Sequence, residues 1–85
     1  MIINTVPMIL RYVRMQHGYS QKQIAEVLKT TPQQVWKYEN EDPRYNQEIP
    51  TRHIITLAKF YHVSADYLLG LTDVPDPYPP SKSEM

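Results

Sequence analysis

The feature that most restricts the fold of this chain is a pair of helix-start signals eleven residues apart, Ser20-x-x-Gln23 and Thr31-Pro-x-Gln34. In each, the hydroxyl can accept from the backbone N–H three residues on, while the glutamine side chain reaches back to the cap's own N–H. The second signal carries Pro32 at the first helical position, where a missing N–H is no loss. Two starts this close leave room for one short helix, a tight turn and a second short helix. Ile24, Ala25 and Leu28 form the inner face of the first, which is expected to end near Lys29. Val35 and Tyr38 point inward from the second, and helical arithmetic puts Gln33, Trp36, Lys37 and Asn40 on its opposite face.

The rest of the chain supplies helices around this unit. A first helix is expected from near Pro7 to His17, with Ile9, Leu10 and Val13 as its buried stripe and Gly18 closing it in a left-handed conformation. Glu41 to Ile49 reads as loop, with acids, Pro43, Asn46 and no periodicity. A fourth helix begins at Pro50 or Thr51 and buries Ile54, Leu57, Ala58 and Tyr61. Ser64 caps a short fifth helix that turns Tyr67 and Leu68 inward, and Gly70 ends it. After Asp73 the tail VPDPYPPSKSEM is proline-rich and expected to be extended or disordered. The expected fold is all-α, a compact five-helix bundle over residues 1–73 with a tail over 74–85.

Composition narrows the chemistry. Eighty-five residues support one domain, which at this size buries about 60% of the surface its unfolded chain exposes. There is no cysteine, so neither disulfide nor thiolate metal site holds it together. That fits a reducing cytosol, and a cytoplasmic protein is expected. No stretch approaches the roughly 20 apolar residues of a membrane span. Met1 to Leu10 lacks a basic leader and a small-residue cleavage site, and is expected to be mature sequence. His17, His53 and His62 share no spacing that brings two rings onto one helical turn, so no metal is expected. Ser20 is committed to capping and nothing resembles a strained nucleophile turn, so no catalytic residue, no cofactor and no enzymatic activity are expected. Of seven tyrosines, Tyr38, Tyr61 and Tyr67 sit at core spacing, whereas Tyr12, Tyr45 and Tyr78 are candidates for exposure and for an interface.

Net charge is zero, but it is unevenly distributed. Residues 1–38 carry Arg11, Arg14, Lys22, Lys29 and Lys37 against Glu26 alone, a net of +4, and residues 39–85 carry four cations against eight acids, a net of −4. The basic half could face phosphates while the acidic half faces away; scatter of solvated charge gives the same count. The outward face of the second short helix is more specific. Glutamine bonds bidentately to adenine, lysine reaches guanine or phosphate, and an apolar ring contacts a thymine methyl. Gln33, Trp36 and Lys37 together suit a major groove. A plain bundle with a polar surface helix would not expose Trp36.

The run LRYVRMQHGYSQKQIAEVLKTTPQQVWKYEN followed by IPTRHIITLAKFYHVSADYLLGLTD resembles the phage Cro/repressor-type helix-turn-helix family, also called the xenobiotic-response-element type. The likeness covers residues 9 to 73. It is carried by R-x-x-x-G-x-S-Q at Arg14 to Gln21, I-A at Ile24 and Ala25, Y-E-N at Tyr38 to Asn40, and V-S-x-D-Y-L-L-G ending at Gly70. It implies a lambda-repressor-like five-helix domain whose second and third helices read double-stranded DNA, usually as a homodimer on a palindromic operator with half-sites about 34 Å apart. Residue by residue, it implies phosphate contact by Gln21 and Thr31, and base contact by Gln33 and Lys37. Lys22, Gln34 and Trp36 are expected to join Gln21, Thr31, Gln33 and Lys37 as DNA-binding residues. Pro32 falls on another contact position but has no side-chain donor, so one base contact is expected to be missing. Arg14 and Glu39 match a partly buried salt bridge.

The chain departs from the family after Asn40, where Glu41 replaces the usual glycine and the loop to Pro50 is about four residues longer. Arg44, Tyr45 and Asn46 could grip phosphate there, with Glu41 and Asp42 opposing. Lys22, Lys29 and Arg11 would add phosphate attraction and a steep salt dependence. The expected function is a sequence-specific transcriptional regulator, a repressor. The alternative is a protein-interaction module, such as an antitoxin subunit holding a toxin, for which Gln33 and Lys37 need not face outward.

Overall fold

The protein is described by a computed structural model over residues 5–77. It contains five helices and, among these residues, no strand: α1 Val6–Gln16, α2 Gln21–Leu28, α3 Pro32–Tyr38, α4 Thr51–Tyr61 and α5 Ala65–Leu68. Each of the first three begins as local chemistry demands. Thr5 caps α1 by accepting from the Met8 N–H, with Pro7 in the first turn, so the helix starts one residue before Pro7. Ser20 and Gln23 form a complete reciprocal box: Ser20 Oγ accepts from the Gln23 N–H at 3.1 Å, and Gln23 Oε1 accepts from the Ser20 N–H at 2.8 Å.

Four helices stop by one device. In α1, the Tyr19 N–H bonds the Arg14 carbonyl and the Gly18 N–H the Met15 carbonyl, across Gly18 at φ +79°. These two hydrogen bonds satisfy carbonyls that have no partner within the helix. The same closure recurs at Gly70 and at Lys29 (φ 57°), and at His62 (φ 62°) the Val63 and His62 N–H groups both bond the Ala58 carbonyl; at Lys29 and His62 an L side chain occupies the left-handed region. In the short turn between α2 and α3, Lys29 in this conformation carries the chain from the end of α2 to the Thr31 cap of α3.

The buried stripes predicted for α1, α2, α3 and α4 converge on one core, with Leu68 of α5 wholly enclosed and Ala58 and Tyr67 at its margin. Ile49, the last residue of the long loop, is also buried and anchors its far end. Each such side chain contributes on the order of 1.5–3 kcal/mol by leaving water. Helices α2 and α3 share the most extensive helix–helix contact. At the C-terminal end the Pro75 carbonyl accepts from the Ser64 N–H at 3.0 Å, so the start of the expected tail folds back onto the cap of α5. Tyr78 lies outside the described residues. No described helix is long and apolar enough to cross a membrane.

Candidate nucleic-acid interface

The relative position of α2 and α3 is held by a charged network at their junction. Arg14, in the last turn of α1, donates from Nε to Glu39 Oε2 at 2.8 Å and from Nη2 to Oε1 at 3.0 Å, while Nη1 donates to the Tyr19 carbonyl at 2.8 Å. Gln21, the first residue of α2, donates from Nε2 to Glu39 Oε1 at 3.1 Å. The Arg14 and Glu39 side chains are 12% and 5% exposed. Buried charges are tolerable only when paired and fully bonded, and here all three guanidinium nitrogens and both carboxylate oxygens are engaged. The pair anticipated between α1 and α3 is therefore present, with α2 bonded into it. Tyr61 adjoins the network: burial, and next the Glu39 charge, push its phenol above its ordinary range.

On α3 the outward side chains follow the helical arithmetic. Gln33 is exposed, Lys37 is half-buried one turn on, and Trp36 is 41% exposed. Thr31 Oγ1 accepts from the Gln34 N–H at 3.1 Å, but the return bond of the second capping box is not formed. Gln34 instead turns Nε2 into the protein, where it has no hydrogen-bond partner among the described residues. The reason is positional: residues 34 and 38 share a side of the helix, and Tyr38 lies in the core. Half-buried beside Lys37, Gln34 thus directs its amide nitrogen inward, whereas Gln33 faces solvent. Lys22 is exposed on the first turn of α2, and Arg11, Gln21 and Trp36 border one shallow depression with the acids Glu39, Glu41 and Asp42.

The long loop is built onto α3. The Lys37 carbonyl accepts from the Gln47 N–H and from Asn46 Nδ2, both at 3.2 Å. The Asp42 carbonyl accepts from the N–H groups of Tyr45 and Asn46 at 2.9 and 2.8 Å, and Asn40 Oδ1 accepts from the Asp42 N–H at 2.8 Å. This places the Tyr45 ring against Trp36, centroids 5.8 Å apart, and the Arg44 guanidinium 5.4 Å from the Tyr45 centroid. Arg44 donates from Nη2 to Asp42 Oδ2 at 2.8 Å and from Nε to both carboxylate oxygens at 3.2 Å. The side chain and backbone N–H of Arg44 hold the Asp42 carboxyl below its usual range. The sequence suggested Asp42 and Arg44 as opponents at a phosphate and Trp36 as an exposed aromatic on α3. In the folded chain Asp42 is Arg44's partner and Tyr45 is Trp36's. The Asp-Pro-Arg spacing across a turn was the available signal for the first; the second had none.

The Helix-turn-helix family matches residues 10–68. An uncharacterised HTH-type transcriptional regulator of Bacillus subtilis (strain 168), YobD, is 38% identical over 68 residues, which are 80% of this chain and 57% of that protein. The chain thus spans little more than half the length of this relative. No solved structure matches. With two short capped helices joined by a tight turn, and a family match over most of its length, the chain belongs to the Cro/repressor type of the helix-turn-helix family.

Proposed function

We propose that this protein is a sequence-specific transcriptional repressor that reads the DNA major groove with α3. The observation that carries this reading is the placement of Gln33 and Lys37 one turn apart on the outer side of α3, on a helix whose setting against α2 is held by Arg14, Glu39 and Gln21. With the N-terminal end of α3 in the groove, Gln33 bonds an adenine edge and Lys37 a guanine or a phosphate. Thr31 and Gln21 meet backbone phosphates. An amide nitrogen carries two hydrogens, so Gln21 can keep its bond to Glu39 while donating to a phosphate. Trp36 offers a thymine methyl an apolar surface. Lys22, Lys29 and Arg11 supply sequence-independent attraction, and the protein acts in the cytoplasm as a homodimer on a palindromic operator.

The test is selection of bound sequences from a random duplex pool, with the Gln33→Ala/Lys37→Ala double variant as control. A palindromic motif that disappears in the folded double variant is the expected result. A folded wild-type chain that enriches nothing overturns the reading and favours a protein partner.

A further inference from the structure

We infer that Asp42 is an internal competitor for phosphate: it holds the Arg44 guanidinium in the free protein and must release it before Arg44 can grip the DNA backbone. The inference rests on the DNA-reading assignment above.

Three observations lead to it. Asp42 engages the Nε and Nη2 edge of Arg44, an edge that would otherwise serve a phosphate bidentately. The pair is also locally neutral, so while it persists Arg44 offers DNA no net charge. Secondly, the Arg44 side chain is 77% exposed and that of Asp42 32% exposed. An ion pair this open to water is weak and screened by salt, so exchange of one oxyanion for another has little to overcome. Thirdly, the loop has supports other than the ion pair. The Asp42 carbonyl and the Lys37 carbonyl carry its backbone bonds, and the Tyr45 ring packs on Trp36. Releasing Arg44 therefore frees one side chain, beside α3, without dissolving its support. Glu41, one residue before Asp42, forms no ion pair among the described residues and provides a control for charge alone.

The experiment is a salt titration of binding to a random-sequence duplex of about 30 base pairs, since phosphate grip is independent of sequence. It uses the wild type, Asp42→Asn, Arg44→Ala, the double variant and Glu41→Gln. Asparagine keeps an oxygen to accept the Arg44 backbone N–H. The expected result is that Asp42→Asn binds about threefold to tenfold more tightly at low salt, with a log–log salt slope steeper by about 1. In the Arg44→Ala background that gain shrinks to the smaller, charge-only gain that Glu41→Gln shows in both backgrounds. A gain from Asp42→Asn of equal size with and without Arg44 overturns the inference, because only repulsion was then removed. Unchanged or weaker binding by Asp42→Asn also overturns it, because Asp42 then presents Arg44 instead of withholding it. Failure of the folded wild type to bind any duplex overturns the DNA-reading assignment, and this inference with it.

Discussion

Two arginine–carboxylate pairs in this protein share their chemistry and their closest distance, 2.8 Å, and differ in nearly everything else. Arg14 and Glu39 lie 25 residues apart, are almost closed to solvent, and bond in addition to the Tyr19 carbonyl and to Gln21. Arg44 and Asp42 lie two residues apart on an open turn. The first pair ties α1, the turn before α2 and the end of α3 together. The second ties a turn to itself. Distance alone does not tell them apart; what separates them is the water each ion has given up and the number of chain segments that would be released if the bond broke.

The largest effect is expected at the buried pair. Arg14→Ala leaves the Glu39 carboxylate buried without its cation and strips the Tyr19 carbonyl of a donor. A loss on the order of 3 kcal/mol follows, which for a domain of this size is a fall in melting temperature of roughly 10–20 °C. Circular-dichroism melts of the variant measure it, and an unchanged melt would place the buried pair in the same class as the exposed one.

Tyr61 sharpens the comparison through pH. Its phenol is raised above the ordinary value of 10.0, by burial first and by the Glu39 charge second. Below pH 10 the phenol is neutral in both states, and the folded state loses nothing. As pH rises above 10 the unfolded chain releases this proton while the folded chain holds it, so stability falls. Tyr61→Phe keeps the ring against His17, Tyr19 and Phe60 and has no proton to lose. Its melting temperature should decline less steeply than the wild type's above pH 10. Parallel declines would remove Tyr61 from the alkaline response. A smaller effect is expected from Gln21→Leu, which deletes one donor to a carboxylate that keeps Arg14. It should cost about 1 kcal/mol in a denaturant titration, and a cost equal to that of Arg14→Ala would show that the amide matters as much as the charge.

How far each region could be read from sequence follows the same division. The starts of α2, α3 and α5 were legible because a cap is a contact between residues three apart, and the sequence displays both partners. The core stripes were legible because period alone determines them. The Arg14–Glu39 pair, 25 residues apart, was not available from local rules and came from the resemblance of Arg14 to Gln21 and Tyr38 to Asn40 to a family. Lys29 and His62 in the left-handed region had no signal, since the usual marker of that conformation is glycine. Gln34 misled: its spacing from Thr31 is that of a capping box, but its place beside Tyr38 on the helix turns the amide inward. The loop from Glu41 was the least legible, because its acids and Arg44 look like scattered charge until Pro43 and the bonds to Lys37 bend them together.

The smallest expected effect is the most exacting test of the contrast. Asp42→Asn abolishes the ion pair with Arg44 while leaving the Asp42 carbonyl to accept from Tyr45 and Asn46, and the Lys37 carbonyl to accept from Asn46 and Gln47. If burial sets the worth of such pairs, the melting temperature of this variant should match the wild type within experimental scatter, even though its DNA affinity rises. A substantial fall would mean that the exposed pair holds the loop against α3, with Tyr45 and Trp36 dependent on it. The loop would then be part of the folded core's support, and Asp42 could not exchange Arg44 with a phosphate without loosening the surface proposed to read DNA.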